Sequence, residues 1–270
     1  MPKIKSNYLN IYYEIYGDGF PLIFINGQSG TVAHFKNSPL FKDFERSIFT
    51  KFKTIFFDNR GIGKTDDVDR QYTIKTLADD VKGLIDALNL GKVNIIGFSM
   101  GGMIAQELII NYPEIIEKSV IGATHCGISK YILPSQEVTN IMMKNQEGLS
   151  PEEIVKSQIP LIYTEEFIKN NSDFIESTIQ YYISNPVSPK VYQKQVYAIL
   201  RFKSCRRLKI IQVPTLILHG KCDLLVPPQN GEILADLIPG SKLKIFENSG
   251  HNLCVDQTEV FLSTIIDFFD

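Results

Sequence analysis

Val93-Asn94-Ile95-Ile96-Gly97-Phe98-Ser99-Met100-Gly101-Gly102-Met103-Ile104-Ala105 leads from a short apolar stretch through a G-x-S-x-G turn into a run with helical character. A strand ends, a serine sits on a tight turn, and a helix starts at once. Such a turn is strained, and glycines on both flanks relieve the clash with neighbouring backbone. It lifts the Ser99 hydroxyl above the sheet edge, while the new helix aims its N-terminal amides and positive dipole end at developing negative charge. The pattern alone recurs by chance. Between an apolar strand and a helix it points to a nucleophile.

A serine hydroxyl needs a base, and the base an orienting acid. Of the four histidines, His251 lies in Asn248-Ser249-Gly250-His251-Asn252, a loop between the strand ending at Phe246 and the last helix. His34 precedes the serine, His125 follows the next strand, and His219 ends an apolar strand run. His219 reads as structural and His125 as pocket lining, which leaves His251 as the base. Asp223, in Gly220-Lys221-Cys222-Asp223-Leu224-Leu225-Val226-Pro227, follows a buried strand at a glycine turn. The loop after the earlier strand, Gly122 to Gly127, holds no carboxylate. The order Ser99, Asp223, His251 is the chain order expected for a nucleophile elbow of this type.

Outward from the elbow, the chain alternates. Ile11–Tyr16, Leu22–Ile25, Thr54–Phe57, Val93–Ile96, Ser119–Ile121, Thr215–Leu218 and Leu243–Phe246 read as short strands, mostly apolar on both faces, as suits a parallel sheet covered by helices. Helical spacing follows Thr73, a plausible N-cap, in Ile74, Leu77, Val81, Leu84, Ile85 and Leu88. Further helices are expected from Met100 to Asn111 and from Thr258 to Phe268. This predicts an α/β fold, with a mainly parallel central sheet and helices on both faces. Between about Ser129 and Leu208 only helical segments appear, with starts at Ser150-Pro151, Ser172-Asp173 and Ser188-Pro189. Residues 129–208 therefore read as a helical cap inserted into a core of 1–128 and 209–270.

The chain resembles an α/β-hydrolase over nearly its whole length, and within that superfamily the carboxylesterase, enol-lactonase and cofactor-free haloperoxidase-like group. The resemblance is carried by Asp58-Asn59-Arg60-Gly61-Ile62-Gly63-Lys64-Thr65, by Gly97 to Gly102, by Gly220 to Pro227 and by Gly250-His251. It departs from the group at Asn26-Gly27, where a His-Gly is usual, and at Thr65, where serine is usual. By likeness the Gln28 and Met100 backbone N–H groups form the oxyanion hole. Ser99 would then attack a carbonyl, His251 would move the proton, and Asp223 would hold the imidazole. Phe98 and His125 would line the substrate pocket. The implied activity is hydrolysis of a small carboxylic ester or lactone through an acyl-enzyme, with no metal or organic cofactor. Carbon-carbon bond hydrolysis and perhydrolysis suit the same triad. A hydrolase-like receptor with little turnover is the rival from another class.

Composition bounds the partners. The 270 residues are 44% hydrophobic and 21% charged, ordinary for a globular chain. A net charge of -2 gives no global field for nucleic acid or anionic membrane. No run of about 18 apolar residues offers a membrane span. The N-terminus lacks the apolar core and cleavage site of a secretion signal. The four cysteines show no C-x-x-C pair, so a reduced, cytoplasmic protein is expected, with a homo-oligomer left open. Gly61-Ile62-Gly63-Lys64-Thr65 imitates the end of a phosphate-binding loop, but Asp58 stands where that loop needs its first glycine.

Overall fold

Every apolar run read above forms a strand, and the sheet they build puts the elbow near its centre. A computed structural model describes residues 2–6, 8–143 and 149–270. Its strands are β1 (Lys3–Ser6), β2 (Leu9–Tyr16), β3 (Phe20–Ile25), β4 (Phe52–Phe57), β5 (Val93–Phe98), β6 (Ile116–Gly122), β7 (Thr215–Gly220) and β8 (Lys242–Phe246). They form one eight-stranded sheet in the order β1-β2-β4-β3-β5-β6-β7-β8. The first two strands pair antiparallel, as do β2 and β4, and all later pairings are parallel. β1 was not expected. Three of the four residues in its Lys-Ile-Lys-Ser sequence are polar, as suits a short edge strand that must not recruit another chain.

Side chains alternate across the strands and build a core on each face. Ile23, Ile95 and Ile217 enter one cluster, and their neighbours Phe24, Ile96, Leu216 and Leu218 enter the other. The described helices before the crossover segment are α1 (Val32–Asn37), α2 (Pro39–Arg46), α3 (Ile74–Ala87) and α4 (Met100–Asn111). The last two supply Leu77, Val81, Leu84, Met103, Ile104 and Leu108 to the first cluster. The expected stripe after Thr73 is thus real, and Thr73 closes a capping box with Thr76. α1 and α2 supply Val32, Phe35, Leu40 and Phe44 to the second cluster. These two short helices were not read from the sequence, because six and eight residues offer too little periodicity.

Between β6 and β7 lie α5 (Gln136–Met143), α6 (Pro151–Ile162), α7 (Glu165–Asn170), α8 (Ser172–Ser184) and α9 (Pro189–Leu200). Positions 144–148 fall outside the described residues. Ser150 caps α6 in a capping box with Glu153, whereas Ser188 occupies the cap position of α9 without a side-chain bond. The chain ends with α10 (Gln229–Leu237), α11 (Leu253–Asp256) and α12 (Thr258–Phe269). Among the described residues no helix is long and apolar enough to cross a membrane.

One expectation is corrected. The cysteines are not all reduced: Cys126 and Cys205 form a disulfide, with Cα atoms 4.9 Å apart and a separation of 79 in sequence. It joins the loop after β6 to the loop after α9. Spacing of that length carries no local signal, and only the return of the chain to the sheet brings the thiols together. Cys222 and Cys254 are free, the first exposed and the second buried.

Candidate active site

The C-terminal edge of the parallel strands gathers the candidate residues. Ser99 directly follows β5, Thr124 and His125 follow β6, Asp223 follows β7, and His251 follows β8. Ser99 has φ 55° and ψ -120°, a conformation that L-residues rarely adopt. Three contacts hold it. Its N–H donates to the Gly122 carbonyl at 3.0 Å, its carbonyl accepts from Thr124 Oγ1 at 2.8 Å, and α4 begins at the next residue. A Cβ on Gly101 would collide with the carbonyl of Ile25, so only glycine lets the elbow approach β3 this closely. Phe98 packs on Phe24 and Phe261, and the Met100 side chain is fully buried in the core. Met100 therefore offers the site its backbone.

The loop after β3 lies across from the serine. A Cβ built on Gly27 would sit 3.3 Å from Ser99 Cβ and 3.8 Å from its Oγ. The turn closes with Gly30 N–H donating to the Gly27 carbonyl at 3.3 Å. Among the described residues, neither the Gln28 nor the Met100 backbone N–H meets a protein acceptor. Asn26 replaces the usual histidine without disturbing this, because its carbonyl accepts from Asn59 Nδ2 at 3.2 Å.

Asp223 is buried and fully engaged. Its Oδ1 accepts the Leu225 and Val226 N–H groups at 3.0 and 2.8 Å, and its Oδ2 lies 2.8 Å from His251 Nδ1. His219 Nε2 stands 3.4 Å from the same oxygen and 2.8 Å from the Val226 carbonyl. Burial pushes the Asp223 carboxyl up, but the charge of His251 and the hydrogen bonds from His219 and His251 outweigh it and bring it down to about 2. The carboxylate is ionised, so His251 Nδ1 carries a proton toward it, and the lone pair of the neutral ring falls on Nε2. His219, read as structural, is a second clamp on the acid loop.

The His251 loop is tied on three sides. Cys222 N–H donates to the Ser249 carbonyl at 2.9 Å, joining the base loop to the acid loop. From α6 and its C-cap, the Ile162 carbonyl accepts Asn252 N–H at 3.1 Å, and Tyr163 Oη accepts Asn252 Nδ2 at 3.0 Å. On the third side Asp256 Oδ2 accepts the Gly250 N–H at 2.6 Å. Burial pushes the Asp256 carboxyl up to about 7.

His125 stacks on Tyr131 with ring centroids 3.9 Å apart and accepts the Gly127 N–H on Nδ1 at 3.0 Å. Burial first, then the nearby charges of His219 and His251, push it down to about 4, so it stands neutral near pH 7. The helices between β6 and β7 also reach the body. Tyr181 bonds Thr31 at 2.6 Å, Tyr182 lies 3.3 Å from His34 Nδ1, and Gln195 accepts from Ser29. No sequence signal marked these three pairings, since each joins residues about 150 positions apart or more.

The imitation phosphate loop is filled by its own carboxylate. Asp58 accepts the Val32 and Lys64 N–H groups at 2.7 and 2.9 Å, and its side chain occupies the space above Gly63. Among the described residues no group of three or more His, Cys, Asp or Glu side chains is arranged to hold a metal ion.

Residues 40–258 match the family model described as serine aminopeptidase, S33. A poly(3-hydroxyalkanoate) depolymerase from Ectopseudomonas oleovorans is 30% identical over 92% of this chain and 83% of its own. The esterase from Exiguobacterium antarcticum superposes with a TM-score of 0.84 at 25% identity, covering 98% of each chain. The enol-lactonase from Burkholderia xenovorans LB400 gives a TM-score of 0.84 at 22% identity over 99% of each, a likeness of fold.

Proposed function

The chain belongs to the serine aminopeptidase S33 family of α/β-hydrolases, and from that premise we propose that it hydrolyses a small carboxylic ester or lactone through an acyl-enzyme. The observation that carries the reading is the 2.8 Å bond between Asp223 and His251 beside an elbow serine held at φ 55°. In this mechanism the lone pair on His251 Nε2 takes the Ser99 proton as the hydroxyl oxygen attacks the carbonyl carbon. The Gln28 and Met100 N–H groups receive the oxyanion. His251 then returns the proton to the leaving alcohol, and water repeats the sequence to release the acid. A serine nucleophile argues against chemistry that forms the ester on a carboxylate. The esterase and the poly(3-hydroxyalkanoate) depolymerase among the similar proteins support an ester substrate. Residues 129–208 serve as a cap that shapes the acyl or alcohol pocket without supplying the chemistry.

A fluorophosphonate probe tests the nucleophile directly. It should label Ser99 in the wild-type protein and leave Ser99→Ala unlabelled, read by peptide mass spectrometry. p-Nitrophenyl esters of rising chain length, lactones and an amino-acid p-nitroanilide then separate ester, lactone and aminopeptidase activity. Labelling elsewhere, or preferred cleavage of the anilide, would overturn the reading.

A further inference from the structure

The turn that carries the Gln28 N–H is held from behind by a side chain 166 positions beyond Ser29. Gln195, on α9, is fully buried, and its Oε1 accepts the Ser29 N–H at 3.1 Å. A backbone N–H only donates, so this bond settles which end of the carboxamide is oxygen. Nε2 is then a donor, and among the described residues it meets no acceptor. The Gln28 side-chain Nε2 is likewise buried without an acceptor. Buried donors are nearly always bonded, yet Gln28 on the turn, Gln195 bonded to it and Asn26 just before it each keep a side-chain N–H without an acceptor, a polarity the fold itself does not use.

The position of that turn supplies the use. Its Gly27 lies against Ser99 Oγ, and its Gln28 N–H faces no protein acceptor. In a mostly apolar site, a few convergent donors set which ligand oxygen goes where. We propose that the Gln28 and Gln195 carboxamides form a donor subsite beside the oxyanion position for a second, uncharged carbonyl oxygen of the substrate. The preferred ester or lactone thus carries a ketone or amide oxygen in addition to the carbonyl that is attacked. This inference rests on the ester-hydrolase reading and adds the substrate class.

Charge selects a neutral acceptor over a carboxylate. The two carboxamides bring no net charge. His34, on the helix that follows the turn, is pushed down to about 4 by burial and is neutral near pH 7. The charged group bonded into the same segment is the Asp58 carboxylate, whose Oδ1 takes the Val32 N–H at 2.7 Å. A second anion would meet repulsion from that carboxylate, whose nearby cation, Lys64, is already engaged by it.

Matched esters test the subsite with the full-length protein. Ethyl pentanoate is compared with ethyl levulinate for an acyl-side oxygen, and propyl acetate with acetonyl acetate for an alcohol-side oxygen. Monoethyl succinate serves as the anionic control. Each kcat/KM is normalised to the hydroxide rate of the same ester. Wild type should favour the ketone member of at least one pair by about tenfold, and should not favour the succinate. Gln195→Glu keeps an oxygen for Ser29 and removes the donor, and should bring that ratio to about one. Gln195→Met and Gln28→Met repeat the test should the buried carboxylate unfold the protein. The ratio is read within each variant, so a general loss of activity cancels. Equal rates within both wild-type pairs, or a ratio that survives loss of both donors, would overturn the subsite alone. Preference for the succinate would also overturn it, in favour of an anion site. Failure to hydrolyse any plain ester would overturn the ester-hydrolase reading and this inference with it.

Discussion

Asp256 Oδ2 accepts the Gly250 N–H at 2.6 Å, so the residue preceding His251 is tethered to a carboxyl whose other oxygen is buried without a partner. Burial pushes that carboxyl from its ordinary 3.8 up to about 7, with Asp223 adding repulsion and His251 opposing it. Between those values the folded protein holds a proton that the unfolded chain has lost. The group's stabilising contribution is complete below about pH 4 and is lost as pH rises through about 7. Asp256→Asn should abolish this slope. Measured by thermal unfolding, its Tm relative to wild type should rise between about pH 5 and pH 8. A constant difference would show that Asp256 titrates normally.

Asp223 has the opposite sign. Its carboxyl is held down to about 2, so its contribution is present above the ordinary 3.8 and is lost as pH falls through about 2. Asp223→Asn keeps an oxygen for the Leu225 and Val226 N–H groups but turns an N–H toward His251 Nδ1. The ring must then protonate on Nε2 and cannot accept the Ser99 proton. Ester hydrolysis should fall by about 10⁴ in kcat with the fold retained, checked by circular dichroism alongside the kinetics.

Ser99→Gly should separate strain from chemistry. Glycine adopts φ 55° without a Cβ clash, and the packing of α4 does not depend on the hydroxyl. Stability should rise by about 1 kcal/mol in urea unfolding while hydrolysis falls by orders of magnitude. Loss of stability would show that the serine makes a structural bond.

The disulfide predicts a thiol count. Without reductant, iodoacetamide should label the exposed Cys222 in the folded protein, and the buried Cys254 only after unfolding. Cys126 and Cys205 should become reactive only after reduction. Cys205→Ser should lower stability by about 4.5 kcal/mol, the loop-closure value for a loop of this size. Four labelled cysteines in the unreduced, unfolded protein would contradict the bond.

Much of the architecture was legible because it is written in local signals. Short apolar runs between turn residues marked the seven strands from β2 to β8, and the stripe after Thr73 marked α3 with its cap. The Gly97 to Gly102 elbow was legible because its glycines answer a local backbone need at Ser99. Asp223 and His251 were singled out by their loops and by chain order. β1, α1, α2, α10 and α11 escaped, being too short or too weakly patterned to show a period.

By itself, then, the sequence determined the alternation of strand and helix, the elbow, and which serine, aspartate and histidine to examine. Tertiary structure decided what they touch. It set two histidines, His219 and His251, on one carboxylate, brought Gln195 to Ser29, closed Cys126 onto Cys205 and buried Asp256 beneath the base loop. Secondary structure arises from the period and steric preference of neighbours, which a sequence displays directly. A disulfide between residues 79 positions apart and a hydrogen bond between residues 166 apart leave no periodic trace, and burial, which moves a proton at Asp256 or orphans a donor on Gln195, exists only once the chain has closed over them.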